Sequence, residues 1–136
     1  MLMNNSPRKA EQSSLPETNR PPLQDHFGRT FDYVRIAITE KCNLRCTYCM
    51  PEEGIDFKKG DQLLSCEEIL RVIHILATMG IRKVRFTGGE PTIRKDLIEL
   101  VAGAAQTSGI QSIHLTTNGL LFERHAKALL DAGLSG

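Results

Sequence analysis

The chain has 136 residues, with 17 Lys plus Arg against 16 Asp plus Glu, a net charge of +1, and 40% hydrophobic and 24% charged residues. That is the composition of one globular domain, and no apolar run approaches the ~18 residues that a bilayer span needs. Near-neutral charge leaves no electrostatic footprint for nucleic acid, five Phe, two Tyr and no Trp give no base-stacking platform, and a complete (β/α)₈ barrel needs roughly 200–250 residues, more than are present.

Residues 1–24 carry Pro7, Pro16, Pro21 and Pro22 among Ser, Asn, Gln, Glu and Arg. Such a stretch buries too little apolar surface to offset its chain entropy, so a disordered N-terminal tail is expected. It lacks the apolar core of a secretory signal. Arg8, Lys9 and Arg20 suggest a transit peptide, but Glu11 and Glu17 argue against one. A cytoplasmic protein is the resulting expectation.

Regular structure is expected from about residue 31. Tyr33 to Thr39 alternates and is β-branched, which reads as a strand. Ser65 with Glu68 three residues later forms a capping box, and Ile69, Val72, Ile73 and Leu76 follow at helical spacing as far as Gly80. Lys83 to Thr87 is a second strand. A helix from about Lys95 to Thr107 turns Leu97, Leu100, Val101 and Ala104 to one side. Ser112 to Thr116 is a third strand. A last helix from Leu121 to Ala132 points Phe122, Ala126, Leu129 and Leu130 inward, with Gly133 after it. Strands alternating with helices predict an α/β fold with a parallel sheet, and function at the carboxyl ends of its strands. The loops there are 40–64, 87–94 and 117–120, and the first is too long for a plain connection.

That long loop holds Cys42, Cys46 and Cys49 in a C-x₃-C-x₂-C pattern, while Cys66 lies further on at a helix start. Three thiols this close can converge on one metal centre, and a reducing compartment disfavours disulfides. Structural zinc calls for four closed ligands, usually in two pairs. A [4Fe–4S] cube held by three Cys leaves one iron open to a substrate atom. The cube is the favoured reading, with zinc as the alternative. Cys66 is read as a small hydrophobe without a metal role.

The triplet after the first strand, with the aromatic Tyr48 before the last Cys, resembles the radical S-adenosylmethionine (SAM) superfamily, whose core is a partial (β/α) barrel. The resemblance implies that Cys42, Cys46 and Cys49 hold a [4Fe–4S] cluster and that the open iron chelates the methionine end of SAM. Reductive cleavage of SAM there would release a 5′-deoxyadenosyl radical. The segment Thr87-Gly88-Gly89-Glu90-Pro91 resembles the superfamily's contact with the amino end of SAM, so Tyr48, Gly89 and Glu90 are candidate SAM-binding residues. The two glycines would let backbone approach the ligand.

The flanking residues are more specific. Val34 to Asn43, Cys49-Met50-Pro51, Val84 to Pro91 with Arg94 and Asp96-Leu97, Leu115 to Leu121 and Asp131 to Leu134 resemble the GTP-cyclising family that begins molybdenum cofactor biosynthesis. Ala37, Glu40, Lys41 and Thr92 depart from it on the flanks of motifs. The resemblance runs over about residues 25–134 and makes residues 25–136 the first three βα units of an incomplete radical SAM core. It implies conversion of GTP to 3′,8-cyclo-7,8-dihydro-GTP, with Arg35, Arg85 and Thr116 contacting GTP. It also implies an electron donor such as flavodoxin or ferredoxin, a homodimer of the full-length protein, and a second [4Fe–4S] cluster in a C-terminal part. A fragment without that part is expected to be inactive alone and to expose the edge of its third strand. Another radical SAM enzyme, peptide-modifying or activating, is the alternative within this chemistry, and a zinc-binding module the alternative outside it.

Two positions gain independent support. Arg35 and Arg85 each sit mid-strand between apolar neighbours, where a guanidinium is costly unless paired, and a triphosphate suits its planar fork. Lys41, Arg45, Arg82, Lys83 and Arg94 read as an electropositive rim. Thr116 and Asn118 also fit simple strand-end and turn roles. His74 and His125 fit helix packing, and His26 and His114 receive no role.

Overall fold

Alternation sets the sheet. In the computed structural model, which describes residues 21–49 and 63–136, three strands lie parallel in the order β1 (Tyr33–Ala37), β2 (Lys83–Thr87) and β3 (Ser112–Leu115). Most of the expected tail, and the part of the first loop from 50 to 62, fall outside the described residues. The register pairs Val34 with Val84 and Val84 with Ile113, then Ile36 with Phe86 and Phe86 with Leu115. Successive side chains of a strand point to opposite faces, so these residues share one face. Three helices cover it: α1 (Cys66–Thr78), α2 (Leu97–Gln106) and α3 (Phe122–Ala132). Ile69 and Ile73 of α1, Leu97, Leu100, Val101 and Ala104 of α2, and Leu129 of α3 join Val84, Phe86, Ile113 and Leu115 in one core. Phe86 is fully buried there. Truncating such a residue to Ala costs about 3–5 kcal/mol.

All three helices lie on one side of the sheet. The other face, with Tyr33, Arg35, Lys83, Arg85, Ser112 and His114, carries no helix of the described residues. A parallel sheet usually has both faces covered, and one bare face is the arrangement of a barrel wall, with helices outside and the bare face turned inward.

The expected elements appear with small changes. β1 ends at Ala37 and β3 at Leu115, earlier than alternation alone suggested, and α2 starts at Leu97. The capping box is formed: Ser65 Oγ accepts from Glu68 N at 3.2 Å, and Glu68 Oε2 accepts from Ser65 N at 2.8 Å. Gly133 closes α3 with a left-handed φ of 113°, its N–H donating to the carbonyls of Leu129 and Leu130. Leu130, expected inward, is outside, and so is Val72 of the helical repeat. Val72 is 40% exposed and Leu130 59%, because each helix beds only a narrow stripe on the sheet.

Two expectations about the ends are revised. Leu23 and Gln24, assigned to the tail by composition, are bonded to the body: Leu23 N donates to Met79 O, Phe31 N donates to Leu23 O, and Gln24 bridges Thr30. The edge of β3 is engaged by Ser135, whose N–H donates to Ile113 O, and by Gly136, whose carbonyl accepts from Leu115 N, both at 2.7 Å.

Candidate functional site

Two loops meet where the strands end. Beyond β1 and β2 the chains stay bonded: Ile38 N donates to Thr87 O, Gly89 N to Thr39 O and Glu90 N to Lys41 O, at 2.8–2.9 Å. The Gly-Gly pair makes this possible. Gly88 has φ 137°, and a Cβ there would overlap Thr39 O, while a Cβ on Gly89 would overlap the carbonyls of Lys41 and Glu40. The glycines therefore let one backbone close on another, just before the first cysteine.

Glu90 ties in the third loop. It is 1% exposed. Its Oε1 accepts from Thr92 N at 3.0 Å, Thr92 Oγ1 at 2.5 Å and Thr117 Oγ1 at 2.7 Å, and its Oε2 accepts from Asn118 N at 2.7 Å. Burial pushes the carboxyl up, but the Asn118 amide, the two threonine hydroxyls and the Thr92 amide outweigh it. The result lies below the ordinary glutamate value of 4.5. Glu90 stays ionised at neutral pH inside the protein. Its oxygens face protein donors and not the open space above the sheet.

The cysteine loop hangs from this assembly. Asn118 Nδ2 donates to Asn43 Oδ1 at 2.8 Å, beside Cys42. Leu44 N points at Cys42 Sγ at 3.5 Å, Cys49 N donates to Cys46 O at 2.9 Å, and Arg45 donates to the carbonyls of Cys42 and Leu44. Cys42 and Cys46 are half-buried and Cys49 is exposed, all as free thiols. Among the described residues no three His, Cys, Asp or Glu are gathered as a metal-ligating group, so the three sulfurs share a loop but do not meet at one point. Cys66 stands apart at the start of α1. Burial, then the charges of Glu99 and Asp96, push its thiol above the ordinary value of 9.0.

On the bare face, Arg35, Arg85 and His114 are cross-strand neighbours in one row. Arg85 Nε donates to Tyr33 Oη at 2.9 Å, and its Nη1 reaches Thr116 Oγ1 at 3.5 Å. His114 Nε2 lies 3.2 Å from Ser112 Oγ. Among the described residues neither Arg35 nor Arg85 has a carboxylate partner. The face is thus a cationic strip with hydroxyls at its margins, a fit for a polyanion.

Arg94 does not belong to the electropositive rim. Its side chain is only 12% exposed and pairs with Asp96 through Nε–Oδ1 at 2.6 Å and Nη2–Oδ2 at 3.0 Å. It also donates to Ile38 O at 2.6 Å and Leu64 O at 2.9 Å. It fastens the end of β1 to the start of α1. The R-x-D spacing was the signal: a two-residue separation that a fork can close upon itself.

Residues 36–136 match the sequence model of the Radical SAM superfamily. The chain belongs to that superfamily. Within it, the chain is 51% identical over 116 residues to molybdenum cofactor biosynthesis protein moc-5 of Caenorhabditis elegans, covering 85% of this chain and 19% of that protein. It is 48% identical over 113 residues to GTP 3′,8-cyclase of Listeria monocytogenes, covering 83% of this chain and 34% of that protein. It is 50% identical over 113 residues to molybdenum cofactor biosynthesis protein 1 of Drosophila melanogaster, covering 83% and 20%. The chain thus spans about a fifth to a third of these relatives. Among solved structures, that of BtrN in complex with AdoMet and 2-DOIA superposes with a TM-score of 0.59 at 21% identity, over 78% of this chain and 44% of that one. This likeness concerns the fold, a partial barrel with alternating strands and helices.

Membership in the radical SAM superfamily implies SAM and a [4Fe–4S] cluster. The donor set fits: three thiols within eight residues, soft ligands suited to iron–sulfur chemistry, on a loop at the carboxyl end of a strand. The other sequence-predicted residues fall in different settings. Tyr48 is 92% exposed on the cysteine loop, Gly89 lies against Lys41, and Glu90 is internal. Sequence reasoning missed Asn43, Thr92 and Thr117 as partners in the network. The donor-rich run Thr117-Asn118 was the available signal, but nothing local ties it to Glu90.

Proposed function

We propose that this chain is the cofactor-binding portion of a GTP 3′,8-cyclase, acting in molybdenum cofactor biosynthesis in the cytoplasm. The observation that carries the reading is the row of Arg35 and Arg85, which have no carboxylate partner among the described residues, on the bare sheet face of the strand that leads into the three-thiol loop. In barrels, substrate sits at the carboxyl ends of the strands, where that row and that loop adjoin. About 50% identity to proteins named GTP 3′,8-cyclase supports the same reading.

Cys42, Cys46 and Cys49 would hold the cluster, with Tyr48 and the Gly89 backbone beside SAM. When bound, these groups supply a radical able to take hydrogen from a ribose carbon. The chain's own part is to bind and orient. Arg35 and Arg85 neutralise triphosphate, Thr116 offers a hydroxyl at the strand end, and Glu90 sets the position of the Gly89 segment from within. The remaining barrel, a second cluster, a homodimer and a flavodoxin- or ferredoxin-type electron donor complete the working enzyme in this reading, and the 136-residue chain alone is inactive.

The test uses the full-length protein reconstituted anaerobically with iron and sulfide, then given SAM, reductant and GTP. The expected result is a brown protein that forms 3′,8-cyclo-7,8-dihydro-GTP together with 5′-deoxyadenosine. SAM cleavage without any GTP-derived product would point to another radical SAM reaction. A colourless protein with one zinc per chain would overturn the reading altogether.

A further inference from the structure

Cys42 is held from both sides by bonds that originate outside its loop. On one side, the carbonyl of its neighbour Lys41 accepts from Glu90 N at 2.8 Å. On the other, Oδ1 of its neighbour Asn43 accepts from Asn118 Nδ2 at 2.8 Å. Asn118 is itself fixed twice: its N–H donates to the buried Glu90 carboxylate at 2.7 Å, and its Oδ1 accepts from Leu120 N at 3.0 Å. Within the loop, Cys49 N donates to Cys46 O at 2.9 Å.

We infer that Asn43 and Asn118 are a positioning pair that presets Cys42 as a cluster ligand before metal binds. The inference rests on the cluster assignment above for its metal readout, but the pair itself is a property of the apoprotein. A ligand fixed in advance loses less freedom on binding, so its contribution survives as slower metal loss. The chain of bonds also runs from the third strand's loop to the first strand's, so a change at Asn118 reaches Cys42 without touching a sulfur.

The bond has a direction that allows a clean test, because Asn43 serves only as acceptor in it. In the full-length protein, Asn43→Ala removes the acceptor and Asn43→Asp keeps it. Asn118→Asp removes the donor and keeps the acceptor for Leu120 N. After anaerobic reconstitution, iron release to a chelator is expected to run roughly three- to tenfold faster in N43A and N118D than in wild type, the factor that one lost hydrogen bond carries. N43D is expected to release iron at the wild-type rate, and the metal-free variants to stay folded, losing no more stability than one hydrogen bond carries, about 1 kcal/mol. In the metal-free protein, hydrogen exchange at the amides of Cys42 to Leu44 is expected to quicken in N43A and not in N43D. Equal exchange in wild type and N43A, or N43D behaving as N43A, would overturn the inference. A wild-type protein that takes up no iron would instead fail the cluster assignment, with the exchange measurement still deciding on the pair.

Discussion

The backbone N–H of Asn118 donates to Oε2 of Glu90 at 2.7 Å, joining residues 28 apart in sequence. Through this bond the loop after β3 is fixed to the loop after β2. The Thr117 hydroxyl on Oε1 makes the junction two-point. A carboxylate so placed is an anchor: every donor that faces it would be stranded without it.

Glu90→Gln keeps the shape but turns an amide NH₂ toward protein donors. It is expected to destabilise the protein by about 1–3 kcal/mol, measured by denaturant unfolding. The pH dependence has a definite sign. The folded carboxyl lies below its ordinary value of 4.5. Its contribution is therefore fully present above that value and is lost as pH falls through the folded pKa. The gap between wild type and E90Q should hold steady from neutral pH down to about 5 and narrow below the ordinary glutamate value. A gap that widened on acidification would contradict the assignment of an ionised, hydrogen-bonded Glu90.

Arg94 tests a different junction. Its guanidinium answers the Asp96 carboxylate and the carbonyls of Ile38 and Leu64 at once. The hydrogen bond from Arg94 is the main cause that holds the Asp96 carboxyl below its ordinary value. Lysine keeps the charge but not the fork. Arg94→Lys is expected to cost about 1–3 kcal/mol in denaturant unfolding, since it leaves part-buried acceptors without donors. A loss under a few tenths of a kcal/mol would mean that the clamp is incidental.

Gly89→Ala is a steric test of the loop closure. The added Cβ would meet the carbonyls of Lys41 and Glu40, which are backbone atoms and cannot swing aside. The strand-like bonds from Gly89 N and Glu90 N would have to open. A cost of about 2–3 kcal/mol is expected, with faster hydrogen exchange at both amides. Wild-type stability would show that the cysteine loop can shift freely.

These junctions mark the limit of what the sequence carries. The three strands and three helices were legible because alternation and helical spacing are local. β2 appears with the predicted bounds, and the Ser65–Glu68 capping box forms as spaced. The exposure of Val72 and Leu130 was not legible, since spacing gives the side of a helix but not the width of its contact. The three cysteines announced themselves by spacing. Glu90 announced itself as a carboxylate near glycines, but its direction depends on Thr117 and Asn118, and only the closed sheet brings that loop alongside. Arg94 was misread as rim for the same reason: two of its three partner residues are Ile38 and Leu64, distant in sequence.

The fourth cysteine separates ligand from bystander. Cys66 packs against the hydrophobic core at the start of α1, and burial, aided by Glu99 and Asp96, pushes its thiol above the ordinary value of 9.0. A thiol in that setting disfavours the thiolate that a metal requires. In the reconstituted full-length protein, Cys66→Ala is expected to retain wild-type iron per chain, whereas Cys42→Ala loses the iron of one cluster, about half of the total if the second cluster is present. Iron loss in C66A, without loss of folding, would return Cys66 to the ligand set.

Arg85 offers the sharpest test of the substrate assignment. Tyr33 Oη holds its Nε, so the rest of the fork is aimed across the bare face toward Thr116, between its register partners Arg35 and His114. A charge-assisted contact to phosphate carries about 1.5–3 kcal/mol. Arg85→Ala in the full-length protein should therefore raise KM for GTP by roughly ten- to a hundredfold. Arg85→Lys should fall between, since it keeps the charge and loses the planar fork. Tyr33→Phe should produce a smaller rise, because it frees the guanidinium without removing it. Iron content and GTP-independent SAM cleavage should stay at wild-type levels in all three variants, which separates a substrate contact from damage to the cluster. A KM in R85A within twofold of wild type would remove Arg85 from the substrate site and leave its hydrogen bond to Tyr33 as a purely structural link across the sheet.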